Sequence, residues 1–412
     1  MRVRVVSTLV ALVAVLLPLR ASTLVPGKPE EAGFSAERLA RVREAVKRHL
    51  DAGSPSGAVT LVARRGKIVH LEAHGLMDVE SKKPMPKDGI FRLASTSKPI
   101  TAAAVLMMIE EGKIRLADPV SRFIPEFKSM KVAVPRPGGS GKEFDTVPAA
   151  REITVRDLLT HGSGLMSGGL GNGTAPRREA TDTLATFIPK LASVPLDFQP
   201  GTLWRYSGQA GFDVLSRIVE IASGLPYDRF LRERLFDPLG MKDTGFFAPP
   251  DRAGRLVTLY RRTPEGKLER VPDQSGLSST SYFAGSGGMV STVEDYAKFA
   301  QMMLNGGELN GRRYLGPRTV QMMTTNHTGD MVNGQFGRPA RGMGFGLGVQ
   351  VNEDPAASGL PQSKGAWGWA GGFGTNFNVE PAEQMVTVVF IQTPNGALQR
   401  DVETAIRQAI ID

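Results

Sequence analysis

Residues 91–98 read Phe-Arg-Leu-Ala-Ser-Thr-Ser-Lys, and a helical run of apolar residues follows directly from Pro99. Ser95 and Lys98 lie three positions apart in this stretch and therefore share one face of a helix. Proline is tolerated only in the first turn of a helix, so Pro99 predicts that the helix begins near Ser95. The serine hydroxyl is then expected at the positive end of the helix dipole, with the lysine lying over it.

A serine becomes a useful nucleophile when a neighbouring base takes its proton. Lys98 fills that role only as a neutral amine, which burial or a nearby cation favours. The alternative is a helix cap followed by a surface lysine, which fits most isolated Ser-x-x-Lys tetrads. Because the chain has no cysteine, a thiol nucleophile, disulfides and a thiolate metal site are excluded, and covalent catalysis needs another group such as Ser95.

The chain around this stretch is long enough for two structural units. Its 412 residues exceed the size at which one hydrophobic core keeps growing, so we expect two domains or one domain with a large insertion. The sequence predicts antiparallel strands at 58–63 and 67–72, joined by a tight turn at Arg65-Gly66, and a strong strand at 385–392. The remaining strand candidates are 342–351 and 366–380.

Helical periodicity marks the rest of the chain. The predicted helices cover residues 35–50, 102–111, 155–159, 183–191, 212–223, 292–305 and a final stretch from about 396. Strands at both ends around a helical middle predict an α/β (α+β) fold, with an antiparallel sheet flanked by helices and interrupted by a helical domain. We expect residues 22–90 plus 281–412 to form the sheet domain and residues 91–280 the inserted helical domain, with the active site at their junction.

Charge and the N-terminus limit the partners. Lysine and arginine exceed the acidic residues by nine, yet they are scattered without a basic stripe or a base-stacking pattern, so nucleic acid is not an expected partner. Residues 1–21 have the basic start and apolar centre of a bacterial-type signal peptide, which predicts an exported, periplasmic or secreted protein with no stable membrane span after cleavage. An uncleaved anchor is the alternative, because Arg20 weakens the cleavage region.

Several ordered motifs point to one family. They are residues 91–98, residues 154–165, Pro200-Gly201 through Tyr206-Ser207, Asp237 to Met241, Gly287 to Met289 and Gly344 to Gly348. With these motifs the sequence resembles the serine β-lactamase and penicillin-binding-protein superfamily, in particular the class C β-lactamases and their relatives, the family VIII carboxylesterases. The resemblance covers nearly all of the chain after the signal segment and implies the β-lactamase/transpeptidase-like fold.

The resemblance implies a role for each residue of the site. Ser95 is expected to attack a carbonyl group, while Lys98 and Tyr206 handle its proton. The amides of Ser95 and Gly372 are expected to form the oxyanion hole. Water then completes turnover of the acyl-enzyme, and this mechanism implies no metal and no organic cofactor.

Two departures from the family bear on the substrate. The Tyr-x-Asn box of the family reads Tyr206-Ser207-Gly208, so the amide side chain that helps to hold an acyl-amide substrate is missing. The third box, Lys-Thr-Gly or His-x-Gly in lactamases and peptidases, reads Trp369-Ala370-Gly371-Gly372. It resembles the Trp-Gly-Gly version of family VIII esterases, from which Ala370 departs, and it lacks the cation that would hold a β-lactam carboxylate. We expect Gly208, Trp369, Ala370 and Gly371 to contact the substrate.

These features favour a carboxylesterase that acts on small acyl esters, with weak β-lactam hydrolysis as a side activity. The rivals within the same mechanism are a class C-type β-lactamase, a D-amino-acid peptidase and an acyltransferase. A catalytically inactive envelope binding protein is the rival from another class. Acyl-chain length and oligomeric state stay open at this point.

Three histidines are assigned no catalytic role. His70, Glu72 and His74 alternate along a predicted strand and share a face that a metal could use, but three polar residues on a sheet face are the simpler interpretation. His161, within the landmark 154–165, is expected to tie a loop rather than to relay protons.

Overall fold

The computed structural model describes residues 23–138, 141–272, 279–332 and 341–412, so the predicted signal segment lies outside the described residues. The strands are β1 (Val25–Pro26), β2 (Gly57–Arg64), β3 (Lys67–Asp78), β4 (Lys83–Pro84), β5 (Phe91–Arg92), β6 (Lys131–Pro135), β7 (Phe144–Pro148), β8 (Tyr260–Arg262), β9 (Leu268–Arg270), β10 (Val290–Ser291), β11 (Glu308–Leu309), β12 (Arg312–Arg313), β13 (Met343–Phe345), β14 (Gln350–Asn352), β15 (Trp367–Ala370), β16 (Asn376–Glu380) and β17 (Met385–Ile391). The α-helices are α1 (Ala36–Leu39), α2 (Arg41–Asp51), α3 (Ser97–Glu110), α4 (Val155–Leu159), α5 (Leu184–Phe187), α6 (Ala210–Ser223), α7 (Tyr227–Leu231), α8 (Asp237–Leu239), α9 (Val293–Leu304), α10 (Pro317–Met323), α11 (Pro355–Ser358) and α12 (Gly396–Gln408).

Nine strands form the central sheet. Eight follow the order β1-β3-β2-β17-β16-β15-β14-β13, and β4 pairs with β3. Every pair is antiparallel except β1 with β3. Along β2, Ala58 and Val62 pack with α2 and α12, while Val59 and Leu61 point into the larger core on the other face. This alternation places helices on both faces of the sheet and confirms the predicted fold class.

The central helix α3 lies in the larger core. Every residue from Ser97 to Met108 is buried, and the same hydrophobic cluster joins α3 and α6 to the inner faces of β2 and β17. The large sheet takes its strands from residues 25–84 and 343–391. The described middle of the chain also contains the short hairpins β6–β7 and β8–β9, and the division into domains at residues 90 and 281 stays a prediction. No helix among the described residues has the length and apolar character to cross a membrane.

Most predicted elements agree with the structure. The turn between β2 and β3 has Arg65 at φ +52° and Gly66 at φ +76°, which is the left-handed backbone of a tight hairpin. The helix predicted over residues 35–50 is instead two helices, α1 and α2, that meet at a turn at Ala40. Ser35 caps the first of them, because its hydroxyl accepts the Arg38 amide at 3.3 Å.

The single strand predicted at 342–351 is wrong, because this stretch is the hairpin of β13 and β14. The Gly346 amide donates to the Val349 carbonyl at 2.8 Å and closes the turn. Gly348 has φ +81°, and a Cβ there would lie 2.9 Å from the Cβ of Ala102. The regularly spaced glycines therefore serve a left-handed turn packed against α3, which a pattern of alternation does not distinguish from a strand.

Candidate active site

The segment that holds Ser95 forms a turn between a short strand and the central helix. A 3-10 turn spans Ala94–Thr96, and α3 begins at Ser97. Ala94 has φ +48°, a left-handed conformation that is unfavourable for a residue with a Cβ and has to be held by its surroundings. One such contact is the Tyr296 phenol, which donates to the Thr96 carbonyl at 2.7 Å. The turn leaves Ser95 half-buried, ahead of the first turn of α3.

Lys98 lies on that first turn and is completely buried. Its Nζ donates to the carbonyls of Gly208 and Ser286, both at 2.7 Å, and to the Ser95 hydroxyl at 3.2 Å. These three oxygens match the three N–H donors of an ammonium group. Burying an ammonium is unfavourable unless such partners replace water, so two backbone carbonyls fix the position of this side chain.

Tyr206 reaches Ser95 from the loop that precedes α6. Its phenol hydroxyl donates to Ser95 Oγ at 2.6 Å, and Lys98 Nζ lies 5.0 Å from the centre of its ring. A cation at this distance is attracted to the face of the aromatic ring. The structure therefore brings Ser95, Lys98 and Tyr206 together, with both partners in hydrogen-bond contact with the serine oxygen.

The loop that carries Tyr206 is held by residues 154–165, the family motif that we call the landmark segment. A capping box between Thr154 and Asp157 begins α4, and His161 follows with φ +58°. The His161 carbonyl accepts the Arg205 amide, and its Nδ1 accepts the Ser207 amide, each at 3.2 Å. These bonds confirm that His161 ties a loop.

The charge state of His161 follows from its surroundings. Burial and the positive charge of Lys98 hold its pKa well below the ordinary range, so the ring is neutral. A neutral ring with Nδ1 as acceptor carries its proton on Nε2, which finds no hydrogen-bond partner among the residues that the structure describes. The ring instead packs on aromatic neighbours, and its centre lies 4.6 Å from that of Tyr206.

The third box, residues 369–372, which we call the third segment, lies at the end of β15. It packs against the turn that holds Ser95. At Gly371 a side chain would collide with the Leu93 carbonyl and the Thr375 hydroxyl, so only glycine fits. The Thr375 hydroxyl donates to the Leu93 carbonyl at 2.7 Å, and this carbonyl also accepts the Thr96 hydroxyl at 2.7 Å. The close approach of Gly371 to Leu93 and the hydrogen bond from the Thr375 hydroxyl to the Leu93 carbonyl therefore join the third segment to the turn that holds Ser95.

The two amides predicted for the oxyanion hole lie on these adjoining segments. Gly372 occupies a turn after β15 and is exposed. Within the part of the chain that the structure describes, no group accepts a hydrogen bond from the amide of Gly372 or of Ser95. Unoccupied amides next to a candidate nucleophile are the donors that an oxyanion requires.

Aromatic side chains pack together on the side of the third segment, where Trp369 and Tyr206 are half-buried and Phe345 and Trp204 lie buried behind them. The Trp369 ring lies 5.5 Å from that of Tyr206 and 5.3 Å from that of Phe345, and Phe345 in turn lies 5.3 Å from Trp204. We call these four side chains the aromatic wall. Trp369 is half-buried at its edge, and the neighbouring Ala370 is exposed. The third segment therefore offers apolar surface and backbone where related enzymes are expected to have a cation.

Gly208 has a different contact from the one expected. It is exposed, as a substrate-contacting residue would be. Its carbonyl, however, binds Lys98 Nζ. Of the other residues predicted to contact substrate, Trp369 and Ala370 lie on β15, and Gly371 is buried against Leu93.

The three polar side chains on β3, His70, Glu72 and His74, are all bonded to other groups of the protein. His70 Nε2 lies 2.7 Å from the Thr60 hydroxyl, and burial lowers the pKa of His70 to about 4. Glu72 accepts Arg43 and lies 2.9 Å from His74 Nε2; the hydrogen bond from Arg43 lowers its pKa to about 2. Across the described ranges, no three His, Asp or Glu side chains are placed to hold a metal ion.

Four contributions to the site were not predicted from the sequence: the carbonyl of Ser286, the hydroxyl of Thr375, the ring of Phe345 and the buried carboxylate of Asp213. Phe345 lies within the family motif Gly344 to Gly348, and Ser286 directly precedes the motif Gly287 to Met289. Their place in or next to a family motif is therefore the signal that could have identified them. For Asp213 the signal was an acidic residue inside an apolar helical pattern. Thr375 carried no signal that distinguishes it from other threonines.

The chain is similar along most of its length to known proteins. The sequence profile of the Beta-lactamase family matches residues 42–410. Protein Rv1367c of Mycobacterium tuberculosis is 36% identical over 353 residues, which are 83% of this chain and 87% of that protein. Esterase EstB of Burkholderia gladioli is 32% identical over 381 residues, which are 86% of this chain and 90% of EstB.

A solved structure shares the fold. EstCE1, described as a hydrolase with promiscuous acyltransferase activity, superimposes with a TM-score of 0.77 at 28% identity, covering 90% of this chain and 99% of EstCE1. Together with the family match, this similarity extends over the sheet and the helices that carry the candidate site. The protein is therefore a serine hydrolase that belongs to the beta-lactamase family.

Proposed function

We propose that the protein is a carboxylesterase that hydrolyses small neutral acyl esters through an acyl-enzyme on Ser95. The observation that carries this proposal is the pair of hydrogen bonds on Ser95 Oγ, from the Tyr206 phenol at 2.6 Å and from Lys98 Nζ at 3.2 Å. The same short contact lets Tyr206, in its phenolate form, accept the serine proton, and the ammonium supplies a positive charge beside it.

In the first step Ser95 Oγ attacks the ester carbonyl, and its proton passes to the phenolate form of Tyr206. Lys98 donates all three of its N–H groups to oxygens, so Tyr206 is the partner with room to accept a proton. The ammonium stabilises the phenolate and keeps the serine oriented. The protonated Tyr206 then gives its proton to the leaving alkoxide, and the acyl group stays on Ser95.

The amides of Ser95 and Gly372 stabilise the negative oxygen that develops in this step. Their hydrogen-bonding capacity is not used by any described residue. Water enters after the alcohol leaves and attacks the acyl carbonyl while Tyr206 takes its proton. When the second tetrahedral intermediate collapses to the carboxylic acid, Tyr206 returns that proton to Ser95 Oγ, which restores the serine and the phenolate. The close contact of Gly371 with Leu93 supports this arrangement, because it keeps Gly372 near the serine.

The preference for a neutral ester follows from the third segment. Trp369 and Ala370 supply no charge, and the half-buried rings of Trp369 and Tyr206 form an apolar surface in front of the buried Phe345. Burying a substrate carboxylate against such a surface without a cation is unfavourable, whereas an acyl or alkoxy chain gains from it. The similarity to Esterase EstB at 32% identity supports the same preference.

The experiment is a panel of p-nitrophenyl esters of increasing acyl length beside a chromogenic cephalosporin, run on the wild type and on Ser95→Ala. We expect short esters to give the highest kcat/KM. We also expect Ser95→Ala to lose on the order of 10⁴-fold or more in kcat. Equal or higher efficiency on the cephalosporin would contradict the ester preference, and ester turnover by Ser95→Ala would contradict the mechanism.

Acyl transfer to an alcohol is a second candidate, because EstCE1 is described as a hydrolase with promiscuous acyltransferase activity and shares 28% identity with this chain. The same acyl-enzyme would then meet an alcohol in place of water. Adding a short alcohol to the ester assay and measuring the new ester by chromatography tests this. Transfer is refuted if the carboxylic acid is the sole product at every alcohol concentration.

Export is a further proposal that rests on residues 1–21 alone. Expression of the full chain in a bacterium, followed by fractionation and N-terminal sequencing, tests it. A mature protein that begins near residue 22 in the periplasm or medium supports cleavage. An intact N-terminus on a cytoplasmic protein contradicts it.

A further inference from the structure

Asp213 is a buried carboxylate next to the candidate site. It lies in the first turn of α6 and is 5% exposed. One carboxylate oxygen accepts the Ser286 amide at 3.0 Å, and the other accepts the Tyr282 hydroxyl at 2.9 Å. A buried carboxylate is unfavourable unless it is bonded, and here both donors come from one backbone segment, residues 279–286.

The same segment carries one of the oxygens that hold Lys98. The Ser286 carbonyl accepts Lys98 Nζ at 2.7 Å, and Lys98 in turn donates to Ser95 Oγ. A continuous path therefore runs from the Asp213 carboxylate through Ser286 and Lys98 to the serine oxygen. None of the described carboxylates forms a direct ion pair with Lys98, so Asp213 is linked to it through the Ser286 backbone.

The charged and titratable groups around Asp213 come from three elements. They are Lys98 on α3, Tyr227 on α7 and Tyr282 on the segment 279–286. Burial raises the pKa of Asp213, while its bonds to Ser286 and Tyr282 and the charge of Lys98 oppose the rise. Asp213 also raises the pKa of both phenols, alongside their burial, so these tyrosines stay neutral donors.

From this geometry we infer that Asp213 is a positioning residue: it holds Ser286, and through the Ser286 carbonyl it keeps the Lys98 ammonium in contact with Ser95. The inference rests on the proposed role of Lys98. Asp213 touches neither Ser95 nor any predicted oxyanion donor, so it acts on rate rather than on substrate binding. A displacement of Lys98 by a fraction of its hydrogen-bond length would weaken its contacts with Ser95 and with the Tyr206 phenolate.

The test compares Asp213→Asn with Asp295→Asn. Asp295 is a useful comparison, since it is 4% exposed, lies in the first turn of α9 and accepts one amide, from Asp243, and one hydroxyl, from Thr244. It differs in that it also pairs with Lys298 at 2.8 Å. We expect kcat on a short p-nitrophenyl ester to fall about 10²-fold in Asp213→Asn with KM near the wild-type value. Asp295→Asn should keep kcat while losing a comparable amount of thermal stability. Equal kcat in the two variants would overturn the inference.

Tyr282→Phe covers the case in which Asp213→Asn does not fold. This variant removes one of the two bonds and keeps both the carboxylate and its bond to Ser286. We expect kcat to fall about threefold at unchanged KM. Wild-type kcat in Tyr282→Phe would count against a positioning role.

Lys98→Ala separates this inference from the proposed function. If Asp213 acts through Lys98, Asp213→Asn adds no further loss of kcat in a Lys98→Ala background, as a double-mutant cycle measures. A further loss of the same size as in the wild-type background would overturn the inference. Wild-type activity in Lys98→Ala alone would instead overturn the proposed function, so the two failures are distinct.

Discussion

The two sides of the candidate site differ in how they are held and in what they offer a substrate. On the nucleophile side, Ser95 lies against Tyr206 and Lys98, and Lys98 is enclosed by backbone carbonyls. On the opposite side, the third segment presents Trp369, the exposed Ala370 and the unbonded amide of Gly372. The first side is polar and tightly bonded, and the second is apolar and open.

Because of this difference, one side of the site determines the chemical step and the other side determines the choice of substrate. Proton transfer requires atoms placed within tenths of an ångström, which the bonds around Ser95 supply. Choice of substrate depends on the surface that the acyl and alcohol groups meet, which the aromatic wall supplies. A change on one side should therefore alter turnover, whereas a change on the other should alter which substrate is turned over.

The largest expected effect comes from the nucleophile side. Tyr206→Phe removes the phenol oxygen that accepts the Ser95 proton, and we expect kcat to fall about 10³-fold at nearly constant KM. Stopped assays with a short p-nitrophenyl ester measure this, and Tyr314→Phe is the control, since its ring is buried elsewhere. A loss below tenfold would mean that Lys98 alone handles the proton.

Substitutions in the third segment should change the substrate specificity. Trp369→Lys places an ammonium where the substrate carboxylate of a cephalosporin would lie, and a hydrogen bond to a charged group contributes about 1.5 kcal/mol. We expect the ratio of cephalosporin to ester kcat/KM to rise about tenfold. Trp369→Leu, which removes the indole without adding charge, is the control. An equal ratio in both variants would contradict the role given to this segment.

The connection between the two sides should have a smaller effect. Thr375→Val removes a hydroxyl that bonds the Leu93 carbonyl, while Thr96 still occupies that carbonyl. We expect about a threefold to tenfold loss of kcat, because Gly372 is held less firmly. Thr393→Val is a matched control, since Thr393 is fully buried and its hydroxyl has no partner within the described ranges. Equal kcat in the two variants would show that this bond does not matter.

The smallest effect concerns His161, which belongs to the landmark segment and packs on the Tyr206 ring. Its pKa is lowered in the folded protein, so below about pH 6.5 the unfolded chain takes up a proton that the folded protein does not. Stability is therefore lost as the pH falls from 7 to 5. His70, with a pKa of about 4, adds to the same loss.

His161→Asn tests how much of this loss of stability is due to His161. The variant keeps the loop contact, because an asparagine oxygen can still accept the Ser207 amide. We expect the thermal midpoint of the variant to fall less between pH 7 and pH 5 than that of the wild type. Differential scanning calorimetry at the two pH values measures the difference. An identical fall in both proteins would contradict a neutral, buried His161.

Local signals in the sequence predicted much of the fold. The hairpin of β2 and β3 follows from Arg65-Gly66 between two apolar runs, and the start of α3 follows from Pro99. The spacing of Ser95 and Lys98 predicted their shared helix face, and the structure places them 3.2 Å apart. Such features depend on neighbours in the chain, so a single sequence contains them.

Contacts between distant segments could not be predicted in this way. The Gly208 and Ser286 carbonyls bind Lys98 across 110 and 188 residues of sequence, and any residue has a carbonyl, so no residue type marks the ones that are used. The glycines of 342–351 imitate a strand pattern because the pattern does not record that Gly348 packs on Ala102. We expect Gly208 to contact the substrate because it replaces the asparagine of the family box, whereas in the structure its carbonyl binds Lys98.

The central claim is that Ser95 carries the acyl group during turnover. Mass spectrometry of protein quenched during turnover of a slow p-nitrophenyl ester, with peptide mapping, tests it directly. We expect one added acyl group on the peptide that contains Ser95, present in the wild type and absent in Ser95→Ala. Active wild-type protein with no adduct under conditions of burst kinetics, or with the adduct on another residue, would contradict it.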